Sequence, residues 1–365
     1  MNNLFTPYTL KSITLKNRIA LPPMCQYMAK DGVPNDWHHV HYSAIAKSGI
    51  GLVIVEATGV APEGRITPNC LGLWNEEQKN EHAKLVKAIK DAGSVPGIQI
   101  AHAGRKAAAN IPWEGDNHMD ENDPRAWQPI GPSAIAFGGG ILPRVPTEMT
   151  IDDIQRVKND FVSAAKRALE AGYEWLELHF AHGYLAQSFF STYANKRDDE
   201  YGGDAKGRGK FLLETMRAVR EVWPEHLPFT MRFGVLEFDG RDEETLLESI
   251  DLVKQFKNSG LDFISVSMGF NTPDAKIPWG PSFMAPITKK VRDEVGIPVA
   301  SAWGFGKPDL ANNAVLNEEL DVVMVGRAYL ANPQWTYEAA KELKIDKPDW
   351  VLPAPYAHWL ERYKI

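Results

Sequence analysis

Glu174-Trp175-Leu176-Glu177-Leu178-His179-Phe180-Ala181-His182-Gly183-Tyr184-Leu185-Ala186-Gln187 decides how the rest of the chain is read. Leu176, Leu178 and Phe180 share one parity, the period of a strand with a buried face. The run breaks at Gly183, and the break presents His179, His182 and Tyr184. An apolar strand ending in a polar cluster and a glycine is the carboxyl end of a parallel strand, where α/β folds build their sites. Three readings compete for the histidines. A catalytic zinc would need a third protein ligand. Structural histidines would need only local hydrogen-bond partners. A pair of N–H donors for a developing oxyanion, with a tyrosine acid beside them, would make an active site.

Outward from this stretch the same unit recurs. Apolar runs lie at 19–21, 52–55, 95–101, 175–180, 228–233, 261–266, 297–302 and 320–325. Helical periods fall between them, at 77–92, 211–222, 243–258 and 287–294. Thr150 with Asp153 forms a capping-box pattern ahead of Ile154, Val157, Phe161, Ala164 and Ala168, and Gly172 closes it. Alternating strands and helices imply a parallel sheet, and eight units imply an α/β (β/α)8 TIM barrel. A doubly wound sheet would want G-x-G-x-x-G after the first strand, where the chain has Pro22-Pro23-Met24-Cys25. Residues 4–18 read as an N-terminal hairpin. Residues 105–146, rich in proline and carrying Trp113, Trp127 and Phe137, form a long excursion after strand three. The whole of 1–365 reads as one barrel domain.

Composition narrows the partners. The chain has 365 residues, 44% hydrophobic and 24% charged, with a net charge of −7. That balance argues against nucleic acid or an anionic membrane surface as the main partner. No apolar run approaches about 18 residues, so no membrane span is expected. The N-terminus lacks the pattern of a signal peptide. Cys25 and Cys70 are the only cysteines and form no C-x-x-C motif. A cytoplasmic enzyme acting on small molecules is the expectation, with no metal.

Polar residues inside apolar strands locate the chemistry. Gln99 lies opposite in parity to Ile98 and Ile100, and Arg232 opposite to Met231 and Phe233. If the apolar parity faces the helices, Gln99, His179 and Arg232 point into the barrel. A buried arginine needs an anion or strong acceptors, and a buried glutamine wants a partner that donates and accepts. A flavin ring meets both demands. After strands seven and eight come Ser301-Ala302-Trp303-Gly304-Phe305-Gly306 and Val325-Gly326-Arg327, at the place where barrels often cradle phosphate.

These motifs carry a resemblance. Pro22-Pro23-Met24-Cys25-Gln26-Tyr27, Gln99-Ile100-Ala101-His102-Ala103-Gly104-Arg105, His179-Phe180-Ala181-His182-Gly183-Tyr184-Leu185, Tyr201-Gly202-Gly203 and Val325-Gly326-Arg327 resemble the Old Yellow Enzyme family, most of all its xenobiotic reductase A branch. The resemblance runs nearly end to end, and residues 354–363 share it. It implies an FMN-containing barrel that takes hydride from NADPH or NADH and reduces activated C=C bonds. Carried over, Pro22, Pro23, Met24, Cys25, Ala57, Gln99, Arg232, Ala302, Trp303, Gly304, Gly326 and Arg327 would hold FMN. His179 and His182 would bind the substrate oxygen and Tyr184 would donate the proton. Tyr27 and Trp303 would line the substrate side. Trp359, in a tail spanning 351–365, would reach a neighbouring subunit of a homodimer or homotetramer; the residues themselves equally allow the tail to fold on its own barrel. Gly207 and Lys210 depart from the family pattern, which has Asn and Arg there.

Two other functions fit parts of the pattern. A flavin-free lyase or isomerase would use the phosphate cradle for a sugar phosphate, but no strand carries a Schiff-base lysine. A flavin sensor would bind FMN without turnover, which Tyr184 beside two histidines argues against.

Overall fold

A computed structural model describes residues 3–363. Eight parallel strands close a barrel: β1 (Ile19–Leu21), β2 (Leu52–Gly59), β3 (Val95–Ala101), β4 (Trp175–Phe180), β5 (Phe229–Gly234), β6 (Phe263–Ser267), β7 (Val299–Ser301) and β8 (Val322–Met324). Neighbours in sequence are neighbours in the sheet, and β8 pairs with β1. The eight expected runs are the eight barrel strands. β2 extends past 55 through a register shift between Val55 and Thr58.

Two parities of the strands make two cores. Leu176, Leu178 and Phe180 face the surrounding helices with Ile98, Ile100, Met231 and Phe233. Inside the barrel, Trp175, Leu52, Ile54, Phe263, Ala300 and Met324 form an apolar floor. Gly97 pairs with Trp175, and a Cβ there would crowd Trp175, Ile54 and Leu52, so its absence makes room for the indole. The hairpin Tyr8–Leu10 and Ile13–Leu15 turns at Lys11-Ser12, as expected, and packs Tyr8, Leu10 and Ile13 under this floor.

The capping signals hold. Thr150 Oγ1 accepts from the Asp153 N–H at 3.1 Å, Asp153 Oδ2 accepts from the Thr150 N–H at 3.0 Å, and Gly172 ends helix Ile151–Ala171 at φ +93°. Helix Asp36–Ala46 had no visible period because its buried face includes His38 and Tyr42, polar by residue type. Helix Ala205–Arg220 starts six residues before 211, capped by Asp204, because Gly207 and Gly209 interrupt its apolar pattern.

The excursion folds back over the barrel. Buried Arg105 donates to the carbonyls of Ala136 (3.0 Å) and Asn271 (2.6 Å), tying it to the loop after β6. Trp127 donates to the Glu63 carbonyl at 2.9 Å. Among the described residues no helix is long and apolar enough to cross a membrane.

Candidate active site

Strand alternation stacks the barrel interior in layers. Along β4, Trp175 belongs to the floor, Glu177 stands above it, and His179 stands at the top. Gln99 on β3 is in register with Glu177 and donates to its Oε1 at 2.8 Å. Arg232 on β5 is in register with His179. Gln99, His179 and Arg232 therefore do point inward, as expected. Their chemistry is incomplete: Arg232 Nε, Glu177 Oε2 and His179 Nδ1 are buried without hydrogen-bond partners.

Above this layer opens a cavity of about 590 Å³, within the range of small-molecule sites. Pro22, Pro23, Met24, His182, Arg232, Trp279, Ala302, Trp303, Gly326 and Arg327 line it. Gly326 presses its backbone against this wall: a Cβ there would lie 3.1 Å from Met24 Sδ and 3.3 Å from Pro22 Cγ. Arg327 is exposed, with no acidic partner among the described residues.

The histidines are held by strain and by hydrogen bonds. His182 sits at φ +64°, a left-handed conformation that costs a non-glycine residue energy. Its N–H donates to the Met268 carbonyl at 3.2 Å, and its own carbonyl accepts from Lys106 Nζ at 2.8 Å. Lys106 also binds the Phe270 carbonyl at 2.7 Å and lies 4.1 Å from the Phe137 ring centroid. Gly183 follows at φ +69°, where a Cβ would meet the Phe270 carbonyl at 2.4 Å, so only glycine fits. His182 Nε2 meets Ser267 Oγ at 2.7 Å, and Trp303 Nε1 donates to the same oxygen at 3.0 Å. That leaves His182 Nδ1 for a ligand. The rings of His179 and His182 stand perpendicular at 4.9 Å, and Tyr184 is 4.9 Å from His179.

Burial and the nearby Arg232 charge hold both imidazoles well below the ordinary histidine range, so both are neutral near pH 7. Burial pushes the Tyr184 phenol up, keeping its proton in place. Burial also lifts Glu177 to about 7, against the pull of Arg232. Lys106 is drawn down to about 7 by burial and then by Arg105, while its two carbonyl partners favour the ammonium.

The other expected residues fall into place unevenly. Cys25 and Tyr27 follow the Pro22–Met24 wall, with Tyr27 edge-on to Trp113 at 6.0 Å. Ala57 is buried at the bulge of β2. Gly304 lies off the cavity wall; its φ of +84° serves a close approach to the Ser282 backbone, where a Cβ would come within 2.4 Å. Trp359 lies outside the cavity of its own chain, 71% exposed, with its ring against His358. Its helix, Ala354–Leu360, packs on the turn Pro348–Val351, which stands against Gly49 near the amino end of β2. Sequence reasoning missed Glu177, Lys106, Ser267 and Trp279. Glu177 was legible, sharing the parity of His179; the others are joined to the site only by folding.

A closed parallel barrel with unmet polar groups at the carboxyl ends of its strands defines a barrel enzyme. The sequence pattern of the NADH:flavin oxidoreductase / NADH oxidase family matches residues 3–346. The NADPH dehydrogenase of Geobacillus thermodenitrificans (strain NG80-2) is 40% identical over 349 residues, covering 94% of this chain and 96% of the relative. Morphinone reductase in complex with tetrahydroNAD has a TM-score of 0.76 at 25% identity, over 94% of this chain and 91% of that one. The old yellow enzyme homologue from Zymomonas mobilis shares the fold with a TM-score of 0.75 at 24% identity, over 94% and 93%. The chain therefore belongs to the NADH:flavin oxidoreductase family, as an FMN-carrying, NAD(P)H-dependent oxidoreductase of the Old Yellow Enzyme type.

Proposed function

We propose that this oxidoreductase is an ene-reductase, reducing activated C=C bonds of α,β-unsaturated carbonyls and related xenobiotics in a ping-pong cycle. The observation that carries the reading is the cluster of neutral His179, neutral His182 and protonated Tyr184, ring against ring at the carboxyl end of β4, with His182 and Arg232 on the cavity wall.

The residues present fit FMN. The unmet Arg232 Nε and the Gln99 amide suit the acceptor-rich pyrimidine edge of a flavin, and unpaired Arg327 beside Gly326 suits its phosphate. Pro22, Pro23, Met24, Cys25, Ala57, Ala302 and Trp303 would enclose the ring. FMN held there would supply the hydride chemistry between the nicotinamide and the substrate. His179 and His182 hold the substrate oxygen where negative charge collects, each well-placed donor worth about 3–4 kcal/mol. Tyr184 holds the proton destined for the α-carbon. Trp303, kept in place by Ser267, and Tyr27 bound the substrate side. One open face would admit the nicotinamide and the substrate in turn.

The chain acts in the cytoplasm as a homodimer or homotetramer. Trp350, Tyr356, Trp359 and Tyr363 are all about half exposed or more, an apolar tail suited to a second subunit. Sedimentation velocity tests this; a monomer at micromolar concentration sinks it.

An anaerobic visible spectrum tests the activity. A flavin band that bleaches with NADPH and returns with 2-cyclohexenone is expected. Bleaching without recovery removes the ene-reductase assignment, and colour that never bleaches leaves a flavin sensor.

A further inference from the structure

We infer that Ser267 is a positioning residue for the reduction: its hydroxyl donates to His182 Nε2 and so fixes the ring with its proton on Nδ1, available to the cavity. The inference rests on the reading of His182 as a donor to the substrate oxygen.

Ser267 closes β6 on the inward parity, two pairs of residues above Phe263 of the apolar floor. It is wholly buried. Its Oγ has two partners among the described residues, Trp303 Nε1 at 3.0 Å and His182 Nε2 at 2.7 Å. An indole N–H only donates, so the Trp303 bond uses a lone pair of the serine oxygen. The hydroxyl's own proton is left with His182 Nε2 as its one acceptor. If Nε2 carried the ring proton instead, the oxygen would accept twice and the serine proton would be buried unmet, which is costly. Ser301, at the end of β7, shows the other way out: its hydroxyl donates to the Val266 carbonyl at 3.1 Å. Ser267 makes no such backbone bond among the described residues.

A neutral imidazole has one N–H to place, and the bond made by one nitrogen decides what the other carries. His182 lines the cavity, and its Nδ1 has no protein partner among the described residues. A bare Nδ1 would turn a lone pair on a substrate oxygen and repel it. With its proton, Nδ1 is the donor that a carbonyl oxygen gaining charge requires. His179 has no such partner: its Nδ1 is buried and unmet. The backbone of His182 is held separately, its N–H by the Met268 carbonyl at 3.2 Å and its carbonyl by Lys106 Nζ at 2.8 Å. Losing the hydroxyl should therefore leave the turn in place and free the ring proton to move.

Nitrogen-15 NMR of the FMN-loaded enzyme labelled in histidine tests this, with His182→Asn supplying the assignment. In the wild type, His182 Nδ1 should resonate as a protonated nitrogen and Nε2 as a bare one. Ser267→Ala should shift the proton toward Nε2, the site imidazole side chains favour in water. Ser267→Thr keeps the hydroxyl and should hold the proton on Nδ1. With 2-cyclohexenone, kcat should fall about 10–100-fold in Ser267→Ala, the usual weight of a partner that orients a histidine, and recover in Ser267→Thr. A wild-type ring protonated on Nε2, an alanine variant that keeps the proton on Nδ1, or one that turns over at the wild-type rate overturns the inference. The wild-type spectrum needs no variant to fold and no turnover. The expected spectrum in an enzyme that never reduces the enone would remove the ene-reductase reading and leave the Ser267 assignment standing.

Discussion

Two cavities of nearly equal size differ in everything but volume. One, about 590 Å³, is the barrel mouth; the other, about 600 Å³, lies between helices Ala205–Arg220 and Asp242–Asn258. In the second the charges satisfy one another: Lys210 pairs with Glu200 and Glu214, and Lys158 with Glu214. Gly207 and Gly209, with no side chains, help to hollow it. In the first, Arg232 Nε is buried and unmet on the wall, and Glu177 Oε2 and His179 Nδ1 are unmet in the layer beneath it. Burying polar groups without partners is costly, so a fold that keeps three together does so for a ligand. Volume marks a hollow; unmet donors and acceptors mark a site.

The largest test of this contrast is at the barrel mouth. Tyr184→Phe should lower kcat by about 10²–10⁴ while leaving FMN bound, the usual weight of a general acid. His182→Ala should cost about 10²–10³ in enone reduction; wild-type turnover in either variant would remove the residue from the chemistry. Next, Arg232→Met should weaken FMN binding about ten- to hundredfold, the worth of charge-assisted hydrogen bonds, read by fluorescence titration of the apoenzyme. The helical groove should respond in stability alone. In Gly207→Ala a Cβ would sit 2.0 Å from the Gly202 carbonyl, so stability should fall by about 1–3 kcal/mol, read in denaturant unfolding, with kcat unchanged.

The acid–base layers should show opposite slopes in apoenzyme stability. Glu177, raised from 4.5 to about 7, contributes stability below pH 4.5 that is lost as pH rises toward 7. His179 and His182, lowered from 6.5, contribute stability above that value that is lost as pH falls. Glu177→Gln should abolish only the first slope, measured by thermal melts across pH 4.5–8. Smallest of all, Gly209→Ala should change stability by less than about 1 kcal/mol: helix propensity favours it, but the Cβ would lie 3.0 Å from a Leu252 methyl carbon that must yield.

The departure from the family pattern at Gly207 and Lys210 now has a local account. Gly207 is where the helix's first turn passes under the Gly202 carbonyl, and Lys210 keeps a cation between two glutamates. Neither touches the barrel mouth, so the departure reshapes a surface and leaves the chemistry alone.

Sequence by itself determined the barrel and the inward line of Gln99, His179 and Arg232. Strand parity is a property of consecutive residues, and a polar side chain on the inner parity shows without any neighbour in view. The caps at Thr150 and Gly172 were legible for the same reason. Only the tertiary structure decided which groups meet. Ser267 reaches His182 from another strand, Lys106 clamps two left-handed turns, and Trp359 lies away from its own cavity. Such contacts depend on barrel closure and loop packing, which join residues far apart in the chain and leave no period for local sequence to carry.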